Sequence, residues 1–151
     1  MSELARDRVV VAATPAAIRT IIDDPEALAR VLPGAESLVP DGPGRWRGVL
    51  ATRVGFMTVR ADAVATLVEE DDPDRLRIEI DGRPRGLAGS FRAVIPFSLE
   101  PVGTDRTAIC YAVDLTVSGR LASFGAPILR DTLRRQVGAL VGNLERMATD
   151  A

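Results

Sequence analysis

The sequence predicts a single α+β domain: a curved, seven-stranded antiparallel sheet wrapped around a long C-terminal helix, with two short helices between the first and second strands. Three observations carry this. Period-two alternation runs through residues 36–118 and is broken only at turn-forming clusters. An apolar stripe at three- and four-residue spacing runs through 126–148. Two proline-led helix starts, Thr14-Pro15 and Asp24-Pro25, follow the first apolar run. At 151 residues the chain has one domain's length, taken as spanning 1–151.

Val9-Val10-Val11-Ala12 reads as the first strand and stops at Thr14-Pro15, where Thr caps a helix and Pro suits its first turn. Ile18, Ile21 and Ile22 give that helix its apolar side. Asp24-Pro25-Glu26 starts a second, striped by Leu28, Val31 and Leu32 and ended by Pro33-Gly34. Six strands then follow at 36–40, 45–54, 58–70, 75–81, 89–101 and 106–118. Asp41-Gly42-Pro43-Gly44, Asp71-Asp72-Pro73-Asp74 and Gly103-Thr104-Asp105 supply turns between them. Alternation is cleanest in Arg75-Leu76-Arg77-Ile78-Glu79-Ile80-Asp81, whose two faces differ completely, so the sheet has one wet side and needs a cover. The stripe Leu129, Leu133, Val137, Leu140, Val141, Leu144 and Ala148 makes the last helix that cover.

Composition excludes several function classes. With 46% hydrophobic and 26% charged residues the chain is an ordinary globular protein, and no apolar run approaches the ~20 residues needed to span a bilayer. Charges at the start of the chain argue against a secretory signal, which places the protein in the cytoplasm. The net charge of −2 gives no global basic field for nucleic acid. All 19 basic residues are Arg; without Lys there is no Schiff base, and with no His the commonest general base and metal ligand is missing. The single Cys110 forms neither an internal disulfide nor a zinc site. No acid/base pair, nucleophile with a base, metal-ligand spacing or phosphate loop is evident, so no catalytic or metal residue is assigned.

Period two puts Trp46, Leu50, Thr52, Val54, Val59, Ala61, Ala63, Ala65, Leu67, Leu76, Ile78 and Ile80 on the helix-covered face. Phe91, Ala93, Ile95, Phe97, Leu99, Ile109, Tyr111, Val113, Leu115 and Val117 complete it. Ala61, Ala63, Ala65 and Ala93 therefore point inward at mid-strand, where a filled core would place larger residues. Close approach of the helix and an occupied cavity both account for this. We read a cavity, because one straight helix cannot touch a strongly curved sheet everywhere. Its candidate lining is Trp46, Leu50, Val59, Ala61, Ala63, Ala65, Ile78, Phe91, Ala93, Ile95, Phe97, Tyr111 and Val113 with Leu129, Leu133 and Val137 of the helix. Tyr111, Thr52 and the Trp46 indole are its polar handles, suited to an apolar guest with one or two polar atoms. Phe56 and Met57 form an apolar turn tip which, with Leu87, Leu121 and Phe124, makes a candidate cavity mouth or partner contact.

The element order resembles the helix-grip fold of START-like (SRPBCC) domains, and particular stretches resemble the CoxG family of carbon monoxide dehydrogenase subunits. They are Asp24-Pro25-Glu26, Leu32-Pro33-Gly34-Ala35-Glu36, Val54-Gly55, the glycines from Gly82 to Gly89, Thr107, Tyr111, Val117-Ser118-Gly119-Arg120-Leu121-Ala122 and Gly125. The resemblance implies a non-catalytic accessory protein of molybdenum-containing carbon monoxide dehydrogenase that recruits the enzyme to the inner face of the cytoplasmic membrane. Joined to the cavity, it implies a respiratory quinone (menaquinone or ubiquinone) as a non-covalent ligand, with partner enzyme, quinone and membrane surface as the partners. Members commonly carry a Cys two residues before the Pro-Gly turn, where this chain has Val31, so a thiol function there does not transfer. Many members continue into a linker and an apolar C-terminal anchor, whereas this sequence stops at Ala151, so the resemblance leaves two readings: a shortened chain or a soluble member. A polyketide cyclase/dehydratase-like enzyme stands as the alternative, since a one-residue shift would turn Arg92 or Asp114 inward. A lipid-binding protein of another kind and a structural adaptor with no usable cavity remain further readings.

Overall fold

A computed structural model describes residues 2–72 and 74–150; Met1, Pro73 of the predicted Asp-Asp-Pro-Asp turn and Ala151 lie outside them. The elements run β1 (Ser2–Val11), α1 (Pro15–Ile22), α2 (Pro25–Val31), β2 (Val39–Pro40), β3 (Arg45–Val54) and β4 (Met57–Glu69). They continue with β5 (Arg75–Pro84), β6 (Gly89–Val102), β7 (Arg106–Gly119), a 3-10 turn (Arg120–Phe124) and α3 (Ala126–Asp150). The strands form one seven-stranded antiparallel sheet in the order β1-β7-β6-β5-β4-β3-β2. This is the predicted fold.

The registers confirm which side chains share the covered face. One row across the sheet is Trp46, Ala65, Ile80, Ala93 and Leu115, and the next is Gly48, Ala63, Gly82, Phe91 and Val117. Three elements differ from the sequence reading. β1 begins at Ser2 rather than Val9, because as a sheet edge it completes its ladder with β7 while carrying exposed Arg6, Asp7 and Arg8. β2 shrinks to Val39–Pro40: Gly34 and Glu36 bond to Ala51 and Val49, but the chain then passes so close to Gly48 that a Cβ there would sit 2.3 Å from the Ser37 carbonyl oxygen. β5 continues to Pro84, whose missing N–H is tolerated because β6 pairs with β5 only as far as Gly82.

The densest packing lies where α1 and α2 meet the sheet and the C-terminal half of α3. Ile18, Val31, Trp46, Leu76, Leu99, Ile109 and Leu144 are buried together there. Polar groups pin the helices. The Trp46 indole N–H donates to Pro25 O at 2.8 Å, Asn143 Nδ2 to Val31 O at 3.0 Å, and the buried Thr107 hydroxyl to Ala13 O at 2.7 Å. The Ala12 N–H donates to Glu145 Oε2 at 2.7 Å. With that end filled, the space left between sheet and helix falls toward the N-terminal half of α3.

Candidate ligand cavity

Between the sheet and the N-terminal half of α3 lies a cavity of about 160 Å3. Val54, Val59, Ala61, Phe91, Ala93, Leu115 and Val117 form its floor, and Leu121, Leu129, Leu133, Val137 and Leu140 its roof. Leu32 and Pro33 of the α2 exit close one side. The void exists because Ala61 and Ala93 stop at a methyl group where strands of this length would carry Leu or Ile. None of the residues lining it is ionisable.

Of the predicted lining, Leu50, Val59, Ala61, Phe91, Ala93, Ile95, Leu129, Leu133 and Val137 are brought together here. The remainder are seated elsewhere. Trp46 and Ala65 lie in the dense cluster with α1 and α2, and the Trp46 N–H is committed to Pro25 O. Ile78, Val113 and Phe97 pack as core beside Val137, and Ala63 is buried in the sheet between Gly48 and Gly82. Tyr111 is half-buried further along β7, beside Ile109 and Val113 rather than the void. Burial, reinforced by the Asp7 carboxylate opposite and opposed by Arg134, holds its phenol above the ordinary value. Of the predicted mouth, Leu121 lines the cavity, while Leu87 and Phe124 pack behind it against Val54, Val59 and Leu129. Met57 is 39% exposed and Phe56 88% exposed.

The helical stripe read only for apolar positions passes over two polar residues of the lining, Thr132 and Gln136. They sit at three- and four-residue steps from Leu129, Leu133 and Leu140, and that spacing was the available signal. Both stitch α3 to β3. The Thr132 hydroxyl donates to Ile128 O at 3.0 Å and approaches Arg53 O at 3.4 Å; Arg135 donates to the same Arg53 O at 2.8 Å, and Gln136 Nε2 donates to Thr52 Oγ1.

Residues 8–149 match the CoxG family of carbon monoxide dehydrogenase subunits. The chain belongs to the CoxG family. No curated protein sequence matches it. Among solved structures it is similar to a conserved protein from Geobacillus kaustophilus (17% identity, TM-score 0.84, covering 95% of this chain and 93% of that one). It is also similar to a START superfamily protein from Mycobacterium smegmatis (16%, TM-score 0.70, 99% of each chain) and to the Zhui aromatase/cyclase from Streptomyces sp. R1128 (14%, TM-score 0.66, 96% and 92%). Likeness at these identities establishes the START-like fold. The family name ties CoxG members to carbon monoxide dehydrogenase as accessory proteins.

The strand ion pairs of this CoxG chain line the outer face of the sheet. Arg92 pairs with Asp81 at 2.8 Å and with Glu79, which Arg77 also holds at 2.8 Å. Hydrogen bonding from Arg77 outweighs burial and, with Arg92, keeps the Glu79 carboxyl below the ordinary glutamate range. Asp114 is out of phase with the inward Val113 and Leu115. Among the described residues no group of His, Cys, Asp or Glu is placed to hold a metal ion, and no helix is long and apolar enough to cross a membrane.

Proposed function

We propose that this protein is a non-catalytic carrier of a respiratory quinone, such as menaquinone or ubiquinone, serving carbon monoxide dehydrogenase at the inner surface of the cytoplasmic membrane. The observation that carries the reading is the cavity itself. Its lining is hydrocarbon with a few neutral polar groups, which favours a neutral guest and supplies no acid, base or nucleophile for turnover. A void of roughly 150 Å3 lined by Leu, Ile and Phe stays dry and takes up a benzene ring, so about 160 Å3 suits a ring-sized head. Oxidation of carbon monoxide with water to carbon dioxide frees an electron pair and protons, and reduction of a quinone to a quinol consumes both.

The surface near the cavity supports a membrane-facing orientation. The β3–β4 and β5–β6 turns, the 3-10 turn and the start of α3 lie at one end, joined by bonds from Arg85 N to Arg60 O and from Arg120 N to Ala88 O. This end carries Arg53, Arg60, Arg85, Arg120, Arg130, Arg134 and Arg135 against Glu36, Asp62 and Asp131, around the exposed Phe56 and Met57. Basic residues beside an anionic leaflet each contribute about 1 kcal/mol.

Organic extraction of protein purified from its native cell, followed by mass spectrometry, tests the reading. A quinone at near one per chain, with saturable uptake from quinone-loaded vesicles, is the expected result. Protein that carries none and takes none up from vesicles would sink it.

A further inference from the structure

The geometry points to Thr52 and Gln136 as an amide–hydroxyl clamp that binds the oxygen of the cavity's guest and holds it equally well as a carbonyl or as a hydroxyl. This inference rests on the carrier reading and specifies which wall receives the polar head. Thr52, Thr132 and Gln136 are the polar side chains lining the void. Thr132 spends its hydroxyl hydrogen on the Ile128 carbonyl oxygen of its own helix, 3.0 Å away. Gln136 and Thr52 bond to each other across the α3–β3 seam, and that bond uses only part of what they offer. An amide has two donor hydrogens and one acceptor oxygen, and a hydroxyl has one donor and two lone pairs.

With Gln136 Nε2 donating to Thr52 Oγ1, the hydroxyl hydrogen, the second amide hydrogen and Gln136 Oε1 stay free; among the described residues this oxygen has no protein partner. No described side-chain polar atom is both fully buried and without a hydrogen bond, so Oε1 keeps open space around it. Turning the amide over exchanges the roles but still leaves a donor and an acceptor unspent. A neutral pair of this kind donates to the carbonyl of an oxidised quinone and accepts from the hydroxyl of the reduced quinol. Neither group titrates near neutrality, so the clamp holds both redox states without exchanging a proton with either. Ala61, Ala93 and Leu115 then take the hydrocarbon of the ring.

The test uses the whole chain and three probes of nearly one shape: menadione, menadiol held reduced under argon, and 2-methylnaphthalene, which has no oxygen. Titration calorimetry gives each affinity for the unaltered protein, for Gln136→Met and for Thr52→Val, with thermal unfolding to confirm that the variants are folded. The unaltered protein should bind menadione and menadiol to within about threefold of each other and each about tenfold tighter than the hydrocarbon, as one net hydrogen bond predicts. Gln136→Met should remove that tenfold preference for both oxygenated probes, Thr52→Val most of it, and neither should weaken 2-methylnaphthalene binding. Equal weakening of all three probes marks the pair as a structural seam only and overturns the clamp, as does no change at all. If the unaltered protein binds the hydrocarbon but the quinone no better, the cavity stands and the clamp falls. If it binds no probe, the carrier reading falls and the clamp with it.

Discussion

At Gly82 a Cβ would lie 2.3 Å from Cζ of Phe91, whose ring lines the cavity. Carbon atoms do not approach so closely, so Gly82→Ala has to push the ring off the strand and into the void. Overpacking of this kind costs about 1–3 kcal/mol, and the lost volume should cut menadione uptake at least severalfold in equilibrium dialysis. Thr107→Val is the converse case. It strands the Ala13 carbonyl oxygen at the packed end, costing about 1–3 kcal/mol in urea unfolding, and should leave menadione uptake unchanged. Unchanged uptake in Gly82→Ala, or lost uptake in folded Thr107→Val, would break this division of the interior. The inward alanines were legible in the sequence because alternation alone assigns their face. The partition of Trp46, Ala65 and Tyr111 away from the void was not, since it depends on where α1 and α2 fill the space. Gln136 was hidden for another reason: a polar residue on the edge of an apolar stripe reads as a solvent position until the helix is seated.

Among the elements, α2 shows how a short helix is held by its ends. Asp24 Oδ1 accepts from the N–H groups of Glu26 at 3.1 Å and Ala27 at 3.3 Å, and Pro25 fills the first turn. Asp24→Ala should cost about 1 kcal/mol by urea unfolding, and Asp24→Asn, which keeps the capping oxygen, should cost much less. Both helix starts were readable from Thr14-Pro15 and Asp24-Pro25 because capping is local chemistry. The extent of β1 and the brevity of β2 were not, because a neighbour's free edge and the close passage over Gly48 decide them. β5 carries a pH dependence on its wet side. Glu79 has a depressed pKa in the folded chain, so its ion pairs stabilise fully above the ordinary glutamate value, and the contribution is lost as the pH falls through the depressed one. Arg77→Gln removes the largest cause of that depression. Its stability loss relative to the unaltered protein should be present at neutral pH and shrink toward zero in acid; a loss of equal size at every pH would contradict this assignment.

Over the whole molecule the charge is polarised along the strands, although the sum is only −2. The β4–β5 and β6–β7 turns carry Glu69, Glu70, Asp71, Asp72, Asp74, Glu100 and Asp105 against Arg75 and Arg106, with Arg19 and Arg77 paired to Glu69 and Glu70. Arg53, Arg60, Arg85, Arg120, Arg130, Arg134 and Arg135 lie toward the cavity end. An anionic surface therefore attracts one end and repels the other, which orients the molecule before any apolar contact forms. Phe56, 88% exposed at the tip of the β3–β4 turn, then enters the interface as the first apolar group to meet it. Sedimentation with vesicles separates these contributions. Binding should be seen with anionic vesicles, be weak with zwitterionic ones and fall as salt screens the field. Arg53→Gln and Arg120→Gln should each lower the partition coefficient about fivefold, corresponding to about 1 kcal/mol per charge removed. Phe56→Ser should lower it on anionic vesicles with little effect on the salt dependence, because it removes apolar burial and leaves the field intact. Changing Glu70 and Asp72 to Gln and Asn at the far end should leave binding the same or slightly stronger. Equal binding to both vesicle types, or a larger loss from the acidic-end changes than from Arg53 and Arg120, would show that the cavity end is not the surface presented to the membrane.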